Sequence, residues 1–229
     1  MSIAENVERV RERILAACLR SGRSPEDVAL MAVSKFQERQ AVEEAWAAGL
    51  RLFGESRVQE AQGKFGDFGP AHPGTAVHLI GSLQRNKAKP AAALFDCIQS
   101  LDRDELALEL GKQAAALGRS LPVLLEMHTG EDSKRGYPDL DALYRATELV
   151  LGMPSLKPAG LMTMAPFTKD EAAIRASFRK LMMARDGLAR RFPEQDWNCL
   201  SMGMTNDFEL AVEEGSTLLR VGTAIFGGR

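Results

Sequence analysis

Cysteine, histidine and tryptophan are all scarce in this chain. The three cysteines, Cys18, Cys97 and Cys199, are odd in number and far apart, with no CxxC pair among them. That argues against a disulfide framework and against a cysteine metal site, so the thiols read as small buried apolar residues in an intracellular protein. The three histidines, His72, His78 and His128, show no metal-ligand spacing, and no metal site is expected. No continuous apolar run is long enough to span a bilayer, and the opening MSIAENVERVRERI carries acidic residues where an export signal has an apolar core. A cytoplasmic protein with no membrane partner is therefore expected. With a formal net charge of -2 there is no overall basic field for nucleic acid or anionic lipid. Nor does any Pro-rich, Ser-rich or low-complexity linker divide the chain, which predicts one domain over 1–229.

What is present is an α/β pattern. The 229 residues are 45% hydrophobic and 26% charged, enough for one domain with a sizeable core. Ile3, Val7, Val10, Ile14, Cys18 and Leu19 recur at three- and four-residue steps, the stripe of an amphipathic helix within residues 1–24, stopped by Gly22 and Pro25. From residue 25 onward short apolar runs alternate with helical patterns. Eight of these runs read as strands: 28–34, 50–54, 76–81, 97–100, 122–128, 159–164, 198–203 and 218–226. Asp102 with Glu105, and Thr168 with Glu171, have capping-box spacing. In 170–192, Ile174, Phe178, Leu181, Leu188 and Phe192 keep to one side. Eight strands alternating with helices predict a (β/α)8 TIM-type barrel with an extra N-terminal helix; an open α/β sheet is the second choice.

Barrel sites lie at the carboxyl ends of the strands, so polar residues there come first. Lys35 follows VALMAVS, and alternation puts it on the face of Met31 and Val33, toward the mouth. An amine desolvated at that rim is a nucleophile for an aldehyde; the alternative is a snorkelling strand-end lysine. SMGMT at 201–205 runs from a strand toward DFELAVEE. Ser201 and Thr205 offer hydroxyls, Gly203 allows close backbone approach, and the helix start offers unpaired N–H groups to an anion. Asn206 with Glu209 also has the spacing of an ordinary cap. In LLRVGTAIFGG at 218–228, Arg220 interrupts an apolar strand, and a buried arginine needs either an internal carboxylate or a ligand. Gly222 and Thr223 add donors next to SMGMT, the usual place of a barrel phosphate site. HLIGSLQRNKAK at 78–89 and HTGEDSKRGY at 128–137 are also polar, although each reads as a charged loop when taken alone. No Walker A loop, HExxH helix or GxSxG elbow is present.

Six ordered blocks carry a resemblance: AVSK at 32–35, FGESRVQE at 53–60, HLIGSLQRNKAK, GLMTMAP at 160–166, LSMGMTNDFE, and RVGTAIFG at 220–227. Together they resemble the pyridoxal phosphate homeostasis protein family, whose members are similar to the N-terminal barrel domain of alanine racemase. The match runs from about Val28 to the C-terminus. The resemblance implies pyridoxal 5'-phosphate (PLP) as cofactor, held as a Schiff base on Lys35. It implies a phosphate region of Ser201, Gly203, Thr205, Gly222 and Thr223, with Arg220 toward the pyridine nitrogen. Ser56, His78 and Met202 would line the rest, and Lys134 corresponds to a family lysine on a loop. Three positions depart from the pattern: Ser56 and Arg57 stand where the family commonly has GENYVQE, and Thr205 replaces a frequent serine.

The expected role is buffering or delivery of PLP, affecting vitamin B6 and amino-acid balance, with PLP-dependent apo-enzymes as recipients and the chain a monomer or weak homodimer. An enzyme is not expected. A racemase needs a second acid/base group, which the relatives draw from a further domain, and this sequence stops where that domain would begin. The alternatives are a fold-type III amino-acid racemase or lyase and, from another class, a sugar-phosphate isomerase barrel.

Overall fold

The computed structural model describes residues 1–130 and 136–228. Its centre is a closed barrel of eight parallel strands in sequence order: β1 (Ala29–Val33), β2 (Leu52–Glu55), β3 (Ala76–Leu79), β4 (Cys97–Leu101), β5 (Leu121–Glu126), β6 (Leu156–Met162), β7 (Cys199–Ser201) and β8 (Leu218–Val221). Closure brings the first strand against the last. Met31 pairs with Arg220 and Ala32 with Val221.

Helices fill the connections and precede β1: α1 (Ile3–Ser21), α2 (Arg39–Ala47), α3 (Val58–Phe65), α4 (Ala88–Leu94), α5 (Asp104–Ala116), α6 (Leu140–Leu151), α7 (Glu171–Arg191) and α8 (Phe208–Glu213). The main core lies between their inner faces and the outer face of the barrel. Phe53, for example, points outward from β2 onto Phe65 and Phe68, with ring centroids 5.6 and 6.4 Å away. α1 packs through Val7, Val10, Ile14, Ala17 and Cys18 as the stripe predicts, but Leu19 is 72% exposed. The barrel interior is organised differently. Cys97, Leu124 and Met162 form a small apolar cluster, and the next inward residues toward the mouth, Gln99, Glu126 and Ser201, are polar and buried.

Each of the eight expected strands is present, with shifted ends. The largest shift is in 218–226, where β8 stops at Val221 and Thr223–Phe226 forms a helical turn, α9. Beyond Val221 the chain leaves the barrel and has no neighbouring strand to pair with, so Ile225 and Phe226 donate back to the Gly222 carbonyl. The expected caps also move. α7 is capped by Asp170, whose carboxylate accepts from Ala172 and Ala173 N–H at 2.9 and 3.3 Å, while Thr168 accepts from Asp170 N–H. Arg103 occupies the N-cap position of α5, and Asp102 is bonded by the Arg103 guanidinium. A capping box exists instead at α1, between Ser2 and Glu5. No helix among the described residues is long and apolar enough to cross a membrane.

Candidate cofactor-binding site

A cavity of about 560 Å³ opens at the carboxyl ends of the strands, within the range of small-molecule sites. Its wall runs around the barrel from Lys35 after β1 and Ser56 after β2, through Gly81, Ser82, Asp102 and Glu126, to Met164–Phe167 after β6. Met204–Asp207 after β7 and Arg220, Gly222 and Thr223 of the β8 end close the ring. A groove of about 740 Å³ beside it, between α7, α8 and α1, shares Pro166, Phe167, Asn206 and Asp207, and several of its charges are paired, as in Arg175 with Glu213 and Glu214.

Lys35 reaches this cavity because β1 ends there and the next inward position after Val33 is its own. Its neighbour across the barrel seam is the end of β8: a Cβ built on Gly222 would stand 3.2 Å from the Val33 carbonyl oxygen. Hence the amine and the donors of Gly222 and Thr223 share one side of the mouth. Lys35 is exposed and has no hydrogen-bond or ion-pair partner among the described residues. The desolvation expected at the rim is thus absent, because the lysine sits in a turn two residues beyond the strand.

Arg220 is buried inside the barrel and forms part of the cavity wall. Its Nη1 donates to Ser201 Oγ at 2.7 Å and its Nη2 to the Thr163 carbonyl at 2.7 Å. Burial pushes the guanidinium down to about 10, against the opposing fields of Asp207 and Glu126. It therefore stays cationic at neutral pH. Its hydrogen-bond partners are a hydroxyl and a backbone carbonyl, neither the carboxylate nor the ligand expected from the sequence, and the carboxylates of Asp207 and Glu126 act on it through their fields.

Ser201 is fully buried and does not line the cavity; its hydroxyl accepts from Arg220 and donates to Gln99 Oε1 at 2.6 Å. Gln99 Nε2 in turn lies 2.8 Å from His78 Nδ1. Since Gln99 Oε1 is the acceptor for Ser201, its amide nitrogen donates to His78, whose proton then resides on Nε2. Burial lowers His78 to about 4. Met202 is fully buried in the main core. Gly203 has φ +94°, and a Cβ there would come within 2.5 Å of the Ala211 side chain, so it serves the packing of α8. Of the ten residues singled out from the sequence, Lys35, Ser56, Thr205, Arg220, Gly222 and Thr223 meet at the cavity. Ser201 and His78 stand behind Arg220, and Met202 and Gly203 belong to the scaffold. Lys134 lies outside the described residues.

Sequence reasoning missed Gln99 and the acidic part of the wall, Asp102, Glu126 and Asp207. The signal was available for two of them: a polar residue in the apolar runs CIQS and PVLLEMH poses the same question as Arg220 in LLRV. Asp207, rather than Asn206, is the N-cap residue of α8, and its carboxylate accepts from Met204 N–H at 2.5 Å. On the far side of the loop, Thr205 Oγ1 accepts from Ala224 N–H at 3.4 Å, which ties the β7 loop to α9.

The family model for the alanine racemase N-terminal domain matches residues 2–229. The pyridoxal phosphate homeostasis protein of Vibrio cholerae is 40% identical over 231 residues, covering 100% of this chain and 97% of the relative. The solved structure of PipY from Synechococcus elongatus with PLP bound is 38% identical with a TM-score of 0.84, covering 99% of this chain and 100% of PipY. An alanine racemase from Clostridium difficile shares the fold, with a TM-score of 0.81 at 11% identity, and this chain spans 57% of its length. Full-length matches at this identity, to proteins built on the same barrel, show that the chain belongs to the pyridoxal phosphate homeostasis protein family within the alanine racemase N-terminal domain fold.

Proposed function

We propose that this protein binds PLP reversibly in the barrel-mouth cavity, with Lys35 as the point of covalent attachment, and buffers or delivers the cofactor. One observation carries the reading. The closed barrel seats a free amine beside hydroxyl and backbone donors and a buried guanidinium in a single cavity. That donor set suits a molecule with an aldehyde at one end and a dianionic phosphate at the other. Thr205, Gly222 and Thr223 would hold the phosphate, using hydroxyls and backbone N–H groups at the start of α9. Thr223 Oγ1 has no partner among the described residues and is available for this role. Ser56 and Ser82 would contribute further polar contacts along the β2 and β3 ends. When bound, PLP supplies an electrophilic aldehyde and an electron-withdrawing ring. Lys35 would supply the amine that condenses with that aldehyde, with loss of one water.

Holding is favoured over turnover by Arg220. In the family resemblance it stands toward the ring nitrogen, where a guanidinium donates and cannot accept. It thereby disfavours the protonated ring on which carbanion chemistry draws. Its Ser201 and Thr163 contacts fix it in place. Borohydride reduction of the PLP-loaded protein followed by peptide mapping tests the attachment: one modified peptide containing Lys35 is expected, and Lys35→Ala is expected to lose both adduct and visible absorbance. A yellow, reducible Lys35→Ala protein would overturn it. For the carrier role, no solvent-deuterium exchange at the α-carbon is expected across a panel of amino acids; exchange would establish a catalyst.

A further inference from the structure

Behind Lys35 lies a cluster of charged groups that the cavity does not use. Ser34 and Gln37 close a four-residue turn, Gln37 N–H donating to the Ser34 carbonyl at 3.1 Å, with Lys35 and Phe36 as its central residues. Phe36 has φ +66°, the one non-glycine residue with positive φ among those described. The third position of a type II turn requires that conformation and normally takes glycine or asparagine; a phenylalanine there is strained and persists only if its surroundings hold it.

The surroundings do hold it. Glu60 Oε1 accepts the Phe36 N–H. Lys64, 6% exposed, donates to the Ser34 carbonyl at 2.6 Å and pairs with Glu60 at 2.9 Å and Glu55 at 2.6 Å. Glu55, fully buried, takes the Ser34 hydroxyl at 2.7 Å. Arg57 lies over the Phe36 ring, 5.5 Å from its centroid. The residues before and after Lys35 are thus both tied to α3 by charge-assisted bonds, while Lys35 itself is untied.

We infer that Glu60 and Lys64 are positioning residues: they clamp the strained Ser34–Gln37 turn and so hold the Lys35 amine in the cavity for condensation. This rests on the reading of Lys35 as the attachment point. The clamp explains how an exposed, flexible side chain acquires a defined origin: two backbone groups flanking its Cα are fixed by a buried ion cluster, and only the side-chain torsions stay free.

The test uses the full-length protein with Glu60→Ala, Lys64→Met and each combined with Phe36→Gly. Glu60→Gln, which keeps an acceptor for Phe36 N–H, is a milder variant should Glu60→Ala fail to fold. PLP retention is read by visible absorbance and borohydride-trapped mass. Independently of PLP, the acylation rate of Lys35 relative to the other lysines is read by peptide mapping. Glu60→Ala is expected to weaken PLP retention roughly tenfold, the scale of one charge-assisted hydrogen bond, and to change the Lys35 acylation rate. Phe36→Gly is expected to restore most of the loss, because glycine adopts positive φ without the clamp. Unchanged retention and acylation in Glu60→Ala, or the same loss with and without Phe36→Gly, would overturn the inference. If the parent protein takes up no PLP on Lys35 while acylation still follows the clamp variants and their rescue, the proposed function fails and the clamp stands.

Discussion

His78 is held neutral by its position inside the barrel, and that has consequences for the side chains linked to it. Protonating Nδ1 would set a donor against the Gln99 amide nitrogen. Gln99 would then have to turn its carboxamide, removing the acceptor that takes the Ser201 hydroxyl proton next to Arg220. With a folded value of about 4 against an ordinary 6.5, the unfolded chain binds more protons between those limits. Stability from this group is therefore fully present above pH 6.5 and is lost as pH falls toward 4, by at most about 3 kcal/mol. Urea unfolding between pH 7 and pH 4.5 checks this: the parent midpoint should fall with pH, and His78→Gln should flatten the slope over that window. An equal slope in both proteins would remove His78 as the cause. Of this network, Arg220 was legible in the sequence because an arginine in an apolar strand demands a partner. Its actual partners were not, since Ser201 belongs to β7 and Thr163 follows β6, and Ser201 in turn depends on Gln99 of β4.

The loop after β7 and the turn after β8 form one side of the mouth, and both depend on local backbone geometry. Gly203 sits at φ +94° with α8 directly against it. In Gly203→Ala the new methyl would meet Ala211 at 2.5 Å and Leu219 at 3.0 Å. That substitution should cost about 2 kcal/mol or more and lower the thermal midpoint by roughly 5 °C in a chain of this size. Gly63→Ala provides the opposite case: Gly63 is inside α3 with nothing within 4 Å of a Cβ, so it should stabilise by about 0.5–1 kcal/mol. Differential scanning calorimetry of the two variants should show midpoints moving in opposite directions; a neutral Gly203→Ala would contradict the packing role. At this scale the sequence announced the glycine but not its reason. SMGMT read as a close approach to a ligand, whereas Gly203 itself makes room for a helix. The α9 turn was likewise hidden in the apolar pattern of RVGTAIF, because a helical turn and a buried strand end share their composition.

Across the whole molecule, α1 is the element that joins the two ends of the chain. It buries Val7, Val10, Ile14, Ala17 and Cys18, each Val or Ile contributing on the order of 1.5–3 kcal/mol when taken out of water. It also reaches the last βα unit, where Asn6 Nδ2 donates to the Ile225 carbonyl at 2.8 Å and Arg13 pairs with Glu209 at 2.8 Å. Those contacts support α8 and α9 from behind, the elements that border the cavity near Thr205 and Thr223. Deleting residues 1–21 should lower the urea midpoint and speed amide exchange in 204–226, while the full-length chain unfolds in one transition. Unchanged exchange in that segment would show that α1 covers the barrel without supporting the site.

The sequence by itself determined the number and order of strands, their alternation with helices and the lysine at the end of the first, since those follow from local periodicity. It also carried the six blocks that place the chain in its family. Only the tertiary structure decided which polar residues face the cavity and which stand behind it. Closure brings β1 against β8, so residues about 190 positions apart become neighbours. Nor does any local pattern reveal that Glu60 and Lys64 on α3 bind the turn around Lys35. Hydrogen bonds and ion pairs between elements depend on where those elements meet in space, and hydrophobic periodicity records only which face of each element is buried.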